Sequence, residues 1–444
     1  MLIPLNLANC VAKEQSAVNI DKSGLDAYLN ALNDNNKMMT AVYVSKNGHL
    51  VYQHYAGHAF TEDGQVINHD TRFRIGSITK TYTAVLIMQL VEQGELSLQD
   101  TLDKHFPSFP NAGKITLHHL LNHRSGIANF TEQADYPNYM TQNKNMEQML
   151  AIIAALPSEF PPGSQHTYSN SNYVVLGFIL EQLYKAPLSE IIATRIAKPL
   201  GLKNSYFGNT INSKDNEAAS YYFAENWQKA PETTLQIPHG AGAMVATAQE
   251  TNEFTHALFN GKLVNEESLK TMMKLKDGYG LGLFARPFYE QYLWGHNGCI
   301  DGFASDTAYN LEDGVAITVL SNGVNYDFNG VLIAILSGIY EKDFDLPDFS
   351  AAAVEVSKSN LARTIGSFAS GDLPLAIQFF VEKGQLMAQA PGQGAFPLTP
   401  YSDSEYRFDG AGIVIKFDEQ SEKQGQLQRF VLHQGGGQFR YERK

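Results

Sequence analysis

At residues 76–80 the chain reads GSITK, a serine at the start of a helical pattern with a lysine three positions later. That spacing puts Ser77 and Lys80 on one helix face, a turn apart, where their side chains can touch. A serine hydroxyl is a weak nucleophile until a neighbour takes its proton, and a lysine confined away from water can be neutral enough to do so. The pattern indicates an activated serine; a serine that only caps the helix is the alternative from these residues alone.

The segments around this motif predict two halves of one antiparallel sheet that are far apart in sequence. Asn47-Gly48 is a strong hairpin signal between two apolar strand patterns, and Gly94 closes the helix that carries Lys80. The stretch 115–196 is mostly helical in pattern, with breaks at Gly126 and at three prolines. The other predicted elements are a helix at 20–35, strands at 39–45 and 49–55, a helix at 80–92, strands at 279–284, 291–295, 303–310 and 315–321, and a helix at 328–340.

A change in composition and in secondary-structure pattern near residue 350 predicts a domain boundary. The acidic, proline-containing stretch 343–350 is typical of a linker, and short strand patterns with Gly- and Pro-containing turns follow it. The strands predicted there are 376–381, 385–390, 412–417, 427–432 and 438–441, which have the spacing of a small antiparallel barrel or sandwich.

We therefore predict an α/β (α+β) fold, with an antiparallel sheet flanked by helices, an all-helical subdomain and a small C-terminal antiparallel β-barrel. The predicted divisions are an N-terminal segment at 1–19, a main domain at 20–345 with its helical subdomain at about 100–240, a linker at 346–355 and the barrel at 356–444.

Two more polar motifs follow the first one in order. Residues 168–170 read YSN, in a loop that precedes a helical pattern. The Tyr168 phenol can shuttle a proton and the Asn170 amide can hold a substrate carbonyl, whereas a tyrosine that packs at a helix start is the alternative. Residues 296–298 read HNG at the end of a strand pattern, where glycine lets a substrate lie against the strand edge.

In order and spacing, the three motifs resemble the signature elements of the penicillin-recognising serine hydrolases. The branch in question contains class C β-lactamases, D-alanyl-D-alanine carboxypeptidases, D-aminopeptidases and related esterases. Supporting segments that resemble the same branch are 73–77, 115–126, 279–282 and 295–303, so that the resemblance covers about 41–336. The last ninety or so residues look like the lipocalin-like domain that follows the catalytic domain in some members.

The resemblance implies a role for each matching residue. Ser77 is the expected acylated nucleophile, Lys80 and Tyr168 are its expected proton-transfer partners, and Asn170 is an expected substrate-positioning amide. The oxyanion hole of the family uses two backbone N–H groups, which correspond here to Ser77 and Cys299.

The third motif departs from the β-lactamase form. Class C enzymes have Lys-Thr-Gly where this chain has His296, Asn297 and Gly298, which are the remaining candidate substrate-binding residues. The histidine form resembles D-peptidases and esterase-like members, which argues against efficient penicillin hydrolysis.

The predicted function is a serine hydrolase that works through an acyl-enzyme on D-amino-acid-containing peptides or small esters. A class C-like β-lactamase is the alternative enzyme. A catalytically silent binder of peptidoglycan fragments is the alternative from another class, although a pocket used only for capture has no need of an activated nucleophile.

Composition and charge limit the classes of binding partner that we expect. The chain has 444 residues, 43% of them apolar, and its 33 Lys+Arg against 46 Asp+Glu give a net charge of −13. This charge repels phosphate backbones and anionic lipid, so we expect a small-molecule or peptide substrate and neither nucleic acid nor a membrane surface. No apolar run reaches the roughly 18 residues of a membrane span. The sequence leaves the oligomeric state open.

The N-terminal segment and its Cys10 give an indication of where the protein is located. Residues 1–12 are apolar and have no charged side chain, which is typical of a signal-peptide remnant, and the LANC sequence at 7–10 makes Cys10 a candidate lipid anchor. An ordinary exposed thiol is the alternative for Cys10. By resemblance, a periplasmic or secreted bacterial protein is expected.

Other clusters are interpreted as structural, and we expect no metal and no cofactor. His119 and His123 are four apart on a helical pattern next to His118, but no zincin-type glutamate accompanies them, so packing and capping roles are favoured. The GAG sequence at 240–242 lacks the context of a dinucleotide fingerprint and is interpreted as a turn beside the active site. His239 before it is a surface-loop or pocket residue in this interpretation.

Overall fold

The structure, a computed structural model, describes residues 20–351, 353–434 and 437–444. The predicted N-terminal segment 1–19, with the candidate anchor Cys10, lies outside the described residues. In the part of the chain that is described, every helix is too short or too polar to cross a lipid bilayer.

The described chain forms two large antiparallel sheets and a set of helices. The helices are α1 (Lys22–Asp34), α2 (Thr79–Glu92), α3 (Leu117–Leu121), α4 (Tyr136–Tyr139), α5 (Met146–Ala154), α6 (Asn170–Tyr184), α7 (Leu188–Ile192), α8 (Lys198–Leu200), α9 (Ala248–Phe259), α10 (Glu266–Met272), α11 (Phe328–Ile339) and α12 (Lys358–Thr364). The strands before residue 350 are β1 (Met38–Lys46), β2 (His49–Ala56), β3 (His58–Phe60), β4 (Gln65–Val66), β5 (Phe73–Arg74), β6 (Tyr206–Phe207), β7 (Tyr221–Phe223), β8 (Trp227–Lys229), β9 (Met244–Ala246), β10 (Phe284–Phe288), β11 (Gln291–Ile300), β12 (Phe303–Asn310) and β13 (Val315–Val324).

The main sheet joins the two ends of its domain, as the sequence predicts. Its order is β10-β11-β12-β13-β1-β2, with β7 and then β8 added beside β13. Asn47 and Gly48 both have positive φ at the turn between β1 and β2, which is the backbone that a two-residue hairpin needs. One face of the sheet packs on α1 and α11 through apolar side chains such as Leu29, Val319 and Ile335.

Helix α2 lies at the centre of the other layer and is buried on nearly all sides. A short 3-10 turn, Gly76–Ile78, precedes it and projects from the end of β5. Of the other helices in this layer, α6 packs on α2, and α9 packs on β1, β12 and β13 and meets α2 through the stacked rings of Tyr82 and Phe254. The nucleophile motif is therefore held between a rigid helix and the strands β11 and β12.

Two stretches differ from the sequence prediction. The strand predicted at 279–284 is wrong: residues 279–283 form a loop, and β10 begins only at Phe284. The loop runs close to its neighbours, because a side chain at Gly280 would meet the Met272 carbonyl and Gly282, with φ 70°, accepts a hydrogen bond from Thr81. The region 115–196 has five α-helices separated by long irregular loops, and residues 206–229 contain three short strands.

Beyond residue 352 the chain folds into a sheet that almost closes on itself. Its strands are β14 (Gly366–Ser370), β15 (Ile377–Glu382), β16 (Gln385–Gln389), β17 (Phe396–Pro397), β18 (Thr399–Pro400), β19 (Glu405–Phe408), β20 (Ile413–Phe417), β21 (Arg429–Gln434) and β22 (Gly437–Arg443). The order is β17-β16-β15-β14-β22-β21-β20-β19-β18, so the two outermost strands are halves of one extended segment, 396–400. Aromatic side chains fill the interior.

The barrel contacts the main domain where β1 and α11 begin. Lys37 Nζ lies 2.7 Å from Asp409 Oδ2 and 5.3 Å from the centre of the Phe349 ring. The backbone of Gly412 lies so close to Asp327, the N-cap residue of α11, that a side chain there would collide with its carboxylate.

Candidate active site

Lys80 is buried beneath the nucleophile and contacts three oxygen atoms. Its Nζ lies 2.7 Å from Ser77 Oγ, 2.8 Å from Asn170 Oδ1 and 2.8 Å from the Ala241 carbonyl oxygen. The structure therefore brings Ser77 and Lys80 together as the helical spacing predicts. The Ala241 carbonyl comes from the 239–241 turn and is a partner that sequence reasoning missed.

These contacts define the direction of a lysine lone pair. The Asn170 amide donates from Nδ2 to Thr131 Oγ1 at 3.0 Å, so its oxygen faces Lys80. That oxygen and the Ala241 carbonyl can only accept, and a neutral amine has two N–H bonds to give them. The remaining lone pair of Lys80 then points at the Ser77 hydroxyl. Burial lowers the pKa of Lys80 well below its usual value, which favours this neutral form.

Tyr168 lies beside this pair, just before α6. The ring centre is 4.9 Å from Lys80 Nζ, and the His123 ring packs against it at 4.3 Å between centroids. Burial raises the pKa of Tyr168 well above its usual value, and hydrogen bonding with Ser77 offsets part of this rise. The phenol therefore stays protonated at neutral pH and is suited to give a proton or to relay one.

His123 supports the loop that carries Tyr168. Its Nδ1 accepts hydrogen bonds from the Ser169 N–H and from Asn172 Nδ2, both at 3.2 Å. Burial lowers the pKa of His123 well below its usual value, so the ring is neutral. The packing role favoured for this histidine is confirmed. His119 has the favoured capping role, since it completes the capping box of α3 with Thr116.

His296 is buried in β11, and both of its ring nitrogens are occupied. Nε2 accepts from the Tyr279 hydroxyl at 2.9 Å, and Nδ1 donates to the Asn297 carbonyl oxygen at 2.5 Å. Burial, reinforced by Lys80, lowers the pKa of His296 to about 3. His296 is therefore a neutral group that shapes the wall behind Tyr279 and carries no positive charge.

Of the two residues that follow His296, Gly298 lies against the nucleophile turn and Asn297 faces away from it. Gly298 approaches the nucleophile turn so closely that a Cβ atom there would be 2.8 Å from the Ser77 nitrogen. Asn297 is paired across the sheet with Asp306, which lines a cavity under α11, so its side chain is on the face turned away from Ser77. A substrate in the cleft would meet only the backbone of Asn297.

The backbones of Ser77 and Cys299, the predicted oxyanion donors, adjoin one another. Gly76, with φ 50°, lies against Cys299, and a Cβ atom at Gly76 would be 2.8 Å from the Cys299 nitrogen. Ser77 and Cys299 also line one cavity of about 220 Å³ in front of the nucleophile. The residues that line it are Ser77, Thr131, Tyr136, Met140, Asn170, Thr233, Pro238, Ala241, Gly242, Cys299, Ile300 and Asp301.

The turn at 240–242 borders this site, as predicted, and His239 needs a correction. Thr83 Oγ1 donates to the Gly240 carbonyl at 2.7 Å, and Ala241 and Gly242 line the cavity. His239 is buried behind the turn, where its Nε2 lies 3.3 Å from Glu181 Oε1, so it is neither a surface residue nor part of the cavity wall. Close packing of Gly240 against the Tyr173 carbonyl brings the turn onto α6 and takes His239 inside.

Metal-ligating groups do not converge at this site. Among the described residues, no three His, Cys, Asp or Glu side chains are arranged to hold a metal ion. The groups that converge on Ser77 are instead an amine, a phenol, an amide and backbone N–H groups. Such groups can accept and donate protons and stabilise an oxyanion, as acyl transfer requires.

Comparison with known proteins agrees with this geometry. The family model described as Beta-lactamase matches residues 26–336. A penicillin-binding protein of Bacillus subtilis is 23% identical over 443 residues, covering 93% of this chain and 97% of its own. The D-amino acid amidase of Ochrobactrum anthropi SV3, solved with L-phenylalanine, has a TM-score of 0.65 and 25% identity over 72% of this chain and 98% of its own. The octameric penicillin-binding protein homologue of Pyrococcus abyssi has a TM-score of 0.66 and 23% identity over 95% of this chain and 100% of its own.

Proposed function

The chain belongs to the Beta-lactamase family, and from this premise we propose that it is a serine hydrolase that forms an acyl-enzyme at Ser77. Its proposed substrates are D-amino-acid-containing peptides, amides or small esters. The similarity to a penicillin-binding protein and to a D-amino acid amidase supports this substrate class. The proposed place of action is the bacterial periplasm or exterior.

The observation that carries the proposal is the set of contacts around Lys80. Its Nζ lies 2.7 Å from Ser77 Oγ, and in the neutral amine, which burial favours, the two N–H bonds go to the Asn170 and Ala241 oxygens, so that the lone pair faces the serine. A serine that only caps a helix needs no such partner. Burying an amine costs folding free energy, and groups buried at such a cost are concentrated at functional sites.

The proposed reaction has two acyl-transfer steps. Ser77 Oγ attacks the substrate carbonyl while Lys80 takes its proton, and the N–H groups of Ser77 and Cys299 stabilise the negative charge on the carbonyl oxygen. Tyr168 gives a proton to the leaving amine or alcohol and takes over the proton held by Lys80, and the acyl-enzyme forms with both groups back in their starting states. A water molecule then attacks the ester, its proton passes back through the same groups, and Ser77 is released.

The electrostatics of the cleft favour substrates without a free carboxylate beside the scissile bond. His296 is neutral and buried, whereas the family's β-lactamases have a lysine in its place. Asp301, the charged residue among the described residues that line the cavity, is already paired with the buried Arg74, so this lining presents no unpaired cation to a substrate carboxylate. Amides and esters are therefore the first substrates to examine, and class C-like β-lactamase activity is the second candidate.

The two-domain arrangement is also a proposal. We assign catalysis to the unit at 20–345 and a structural or assembly role to the lipocalin-like barrel at 356–444, which is joined to it by 346–355. The aromatic filling of the barrel supports a packing role over ligand capture.

The test is covalent labelling followed by a substrate screen. Intact-mass measurement with a fluorophosphonate should show a single adduct that Ser77→Ala abolishes and that Ser189→Ala, at an exposed serine on α7, retains. The screen contains D-amino-acid amides, D-alanyl peptides, p-nitrophenyl esters and a chromogenic cephalosporin. An adduct that survives Ser77→Ala would assign the nucleophile to another residue and contradict the proposal, and labelling with no turnover of any substrate would favour the silent binder.

A further inference from the structure

A buried ion pair joins the two backbone segments that carry the oxyanion donors. Arg74 ends β5, three residues before Ser77, and Asp301 lies in the turn after β11, two residues beyond Cys299. Arg74 Nη1 is 3.1 Å from Asp301 Oδ2, and the two side chains are only 2% and 1% exposed. Asp301 also lines the cavity in front of Ser77, but neither side chain takes part in the proton transfers of the proposed reaction.

Each member of the pair has several other partners. Arg74 donates to the Thr233 carbonyl at 2.7 Å, to the Asn209 carbonyl at 3.0 Å and to Glu232 Oε1 at 2.6 Å. Asp301 Oδ1 accepts from the Thr233 hydroxyl at 2.6 Å and from its N–H at 3.2 Å. The guanidinium therefore ties β5 to the 209 and 232–233 loops and to the turn that ends β11.

The backbone of that turn also depends on the carboxylate. Asp301 has φ 53°, a left-handed conformation that is uncommon outside glycine and that Asp and Asn tolerate better than most residues. Its fixed contacts to Arg74 and Thr233 hold this conformation. A change at Asp301 is thus transmitted directly to Cys299, two residues away.

Close backbone packing already leaves no room between the two segments. A Cβ atom at Gly298 would lie 2.2 Å from the Ile75 carbonyl oxygen, and one at Gly76 would lie 2.8 Å from the Cys299 nitrogen. Ser305 Oγ donates to the Ile75 carbonyl at 2.8 Å from the next strand. Packing prevents the segments from approaching further, but it does not prevent them from separating or sliding.

We propose that Arg74 and Asp301 are positioning residues for the oxyanion hole, holding the N–H groups of Ser77 and Cys299 at the separation that the transition state requires. The inference rests on the proposed function. Oxyanion donors act at about 2.7–3.1 Å from the developing charge, and a misplacement of about 1 Å can cost about 100-fold in rate. The pair therefore affects kcat more than it affects binding of the ground state.

The test compares turnover with transition-state binding in two variants at one position. Asp301→Asn keeps the shape and one acceptor oxygen but weakens the charge, and Asp301→Ala removes both. On the best ester or amide, kcat per fluorophosphonate-titrated site should fall about tenfold in the first and about 100-fold in the second, with KM changed less than about threefold. The Kd of an arylboronic acid, which adds to the serine and places an oxygen in the hole, should rise by the same factor as kcat/KM falls.

Arg74→Lys and a matched control complete the design. The lysine keeps the charge without the planar fork, so its kcat should lie between those of the wild type and Asp301→Ala. Glu250→Gln changes another buried carboxylate, which accepts from the Lys203 and Asn204 N–H groups and from Ser205 Oγ away from the cleft. It should lower the melting temperature without changing kcat or the boronate Kd.

Distinct outcomes overturn the inference and the proposed function. If Asp301→Asn and Arg74→Lys lower stability but keep normal kcat and boronate affinity, or if KM alone rises, the pair is structural and the inference is wrong. If Asp301→Ala does not fold, the isosteric Asp301→Asn decides. If Ser77→Ala keeps the activity, the proposed function itself fails, whatever the Asp301 variants do.

Discussion

The interior beneath Ser77 and the interior of the C-terminal barrel are both closed to water, but they are built from opposite kinds of side chain. Lys80, His123 and His296 are all buried in the first. In the second, among residues 353–434 and 437–444, no charged side chain is buried, and the core consists of rings and aliphatic groups such as Phe368, Phe379 and Phe430.

This difference separates stability from chemistry. Burying ionisable groups is unfavourable unless their partners are fixed, whereas burying aromatic rings is favourable wherever they fit. The first interior thus maintains groups with shifted pKa values at the expense of stability, and the second supplies stability without any reactive group. Variants in the two interiors should therefore have opposite consequences for activity and for folding.

The largest effect should come from Lys80→Met, which keeps the length of the side chain and removes its amine. We expect kcat/KM to fall about 10³-fold or more, because Ser77 loses its base. The melting temperature should fall only modestly, because the cost of burying the amine is removed while the Asn170 and Ala241 oxygens lose their donor. Steady-state kinetics and thermal unfolding measure the two quantities.

Tyr168→Phe and the double variant sharpen this result. If Lys80 and Tyr168 act as one relay, the double variant should be little worse than Lys80→Met. Strictly additive losses would mean that the two groups work independently. Near-normal activity of Tyr168→Phe would remove the phenol from the mechanism.

In the barrel, Phe379→Ala should lower stability and leave activity nearly unchanged. Removing this fully buried ring should cost the barrel about 3–5 kcal/mol of unfolding free energy. At temperatures where the variant is folded, kcat should stay within about twofold of the wild type. Denaturant unfolding followed by ester turnover checks both, and Val381→Ala, 38% exposed on the same strand, is the control. A loss of kcat in folded Phe379→Ala would show that the barrel contributes to the cleft.

Variants of Cys299 should change kcat less, and only through the loss of the backbone N–H group. Cys299→Pro deletes one oxyanion N–H and should lower kcat about 100-fold, while Cys299→Ala and Cys299→Ser should keep most of the activity. Circular dichroism verifies that the variants are folded. Inactive but folded Cys299→Ala would point to the thiol as the nucleophile, and a fully active Cys299→Pro would locate the oxyanion hole elsewhere.

The smallest effect is a gradual dependence on pH. Lys80 accepts a proton only when neutral, so kcat/KM should fall about tenfold per pH unit below the Lys80 pKa and level off above it. Burial lowers that pKa, so the plateau should begin well below the usual lysine value of 10.5. The His296 pKa of about 3 predicts no histidine limb between about pH 5 and 9. A limb in that range that disappears in His296→Gln would contradict this account.

Local patterns predicted the parts of the molecule that depend on neighbouring residues. The Asn47-Gly48 hairpin, the helix after Ser77 and most strands of the barrel follow from turn chemistry and periodicity. The i, i+3 spacing predicted the contact between Ser77 and Lys80 for the same reason. Tyr168 and Cys299 depended on a resemblance between ordered motifs, because nothing local relates them to Ser77.

The two side-chain contacts that sequence reasoning missed join distant positions. Lys80 meets the Ala241 carbonyl across 161 positions, and Arg74 meets Asp301 across 227. A carbonyl has no signature in the sequence, and a single arginine or aspartate resembles any surface charge. The strand predicted at 279–284 failed for a more local reason, since Gly280 lies against the Met272 carbonyl only eight positions earlier and this contact overrides the apolar pattern.

The closing segment 396–400 has a consequence for self-association. Because its two halves pair with β16 and β19, the barrel offers no long open strand to another chain. The main sheet keeps β10 at one edge, and there Pro287 lacks the N–H that an added strand would need. The barrel and the β10 edge of the main sheet are therefore protected from the edge-to-edge pairing that leads to fibrils, whereas β2, which pairs only with β1 among the described residues, forms the opposite edge of the main sheet.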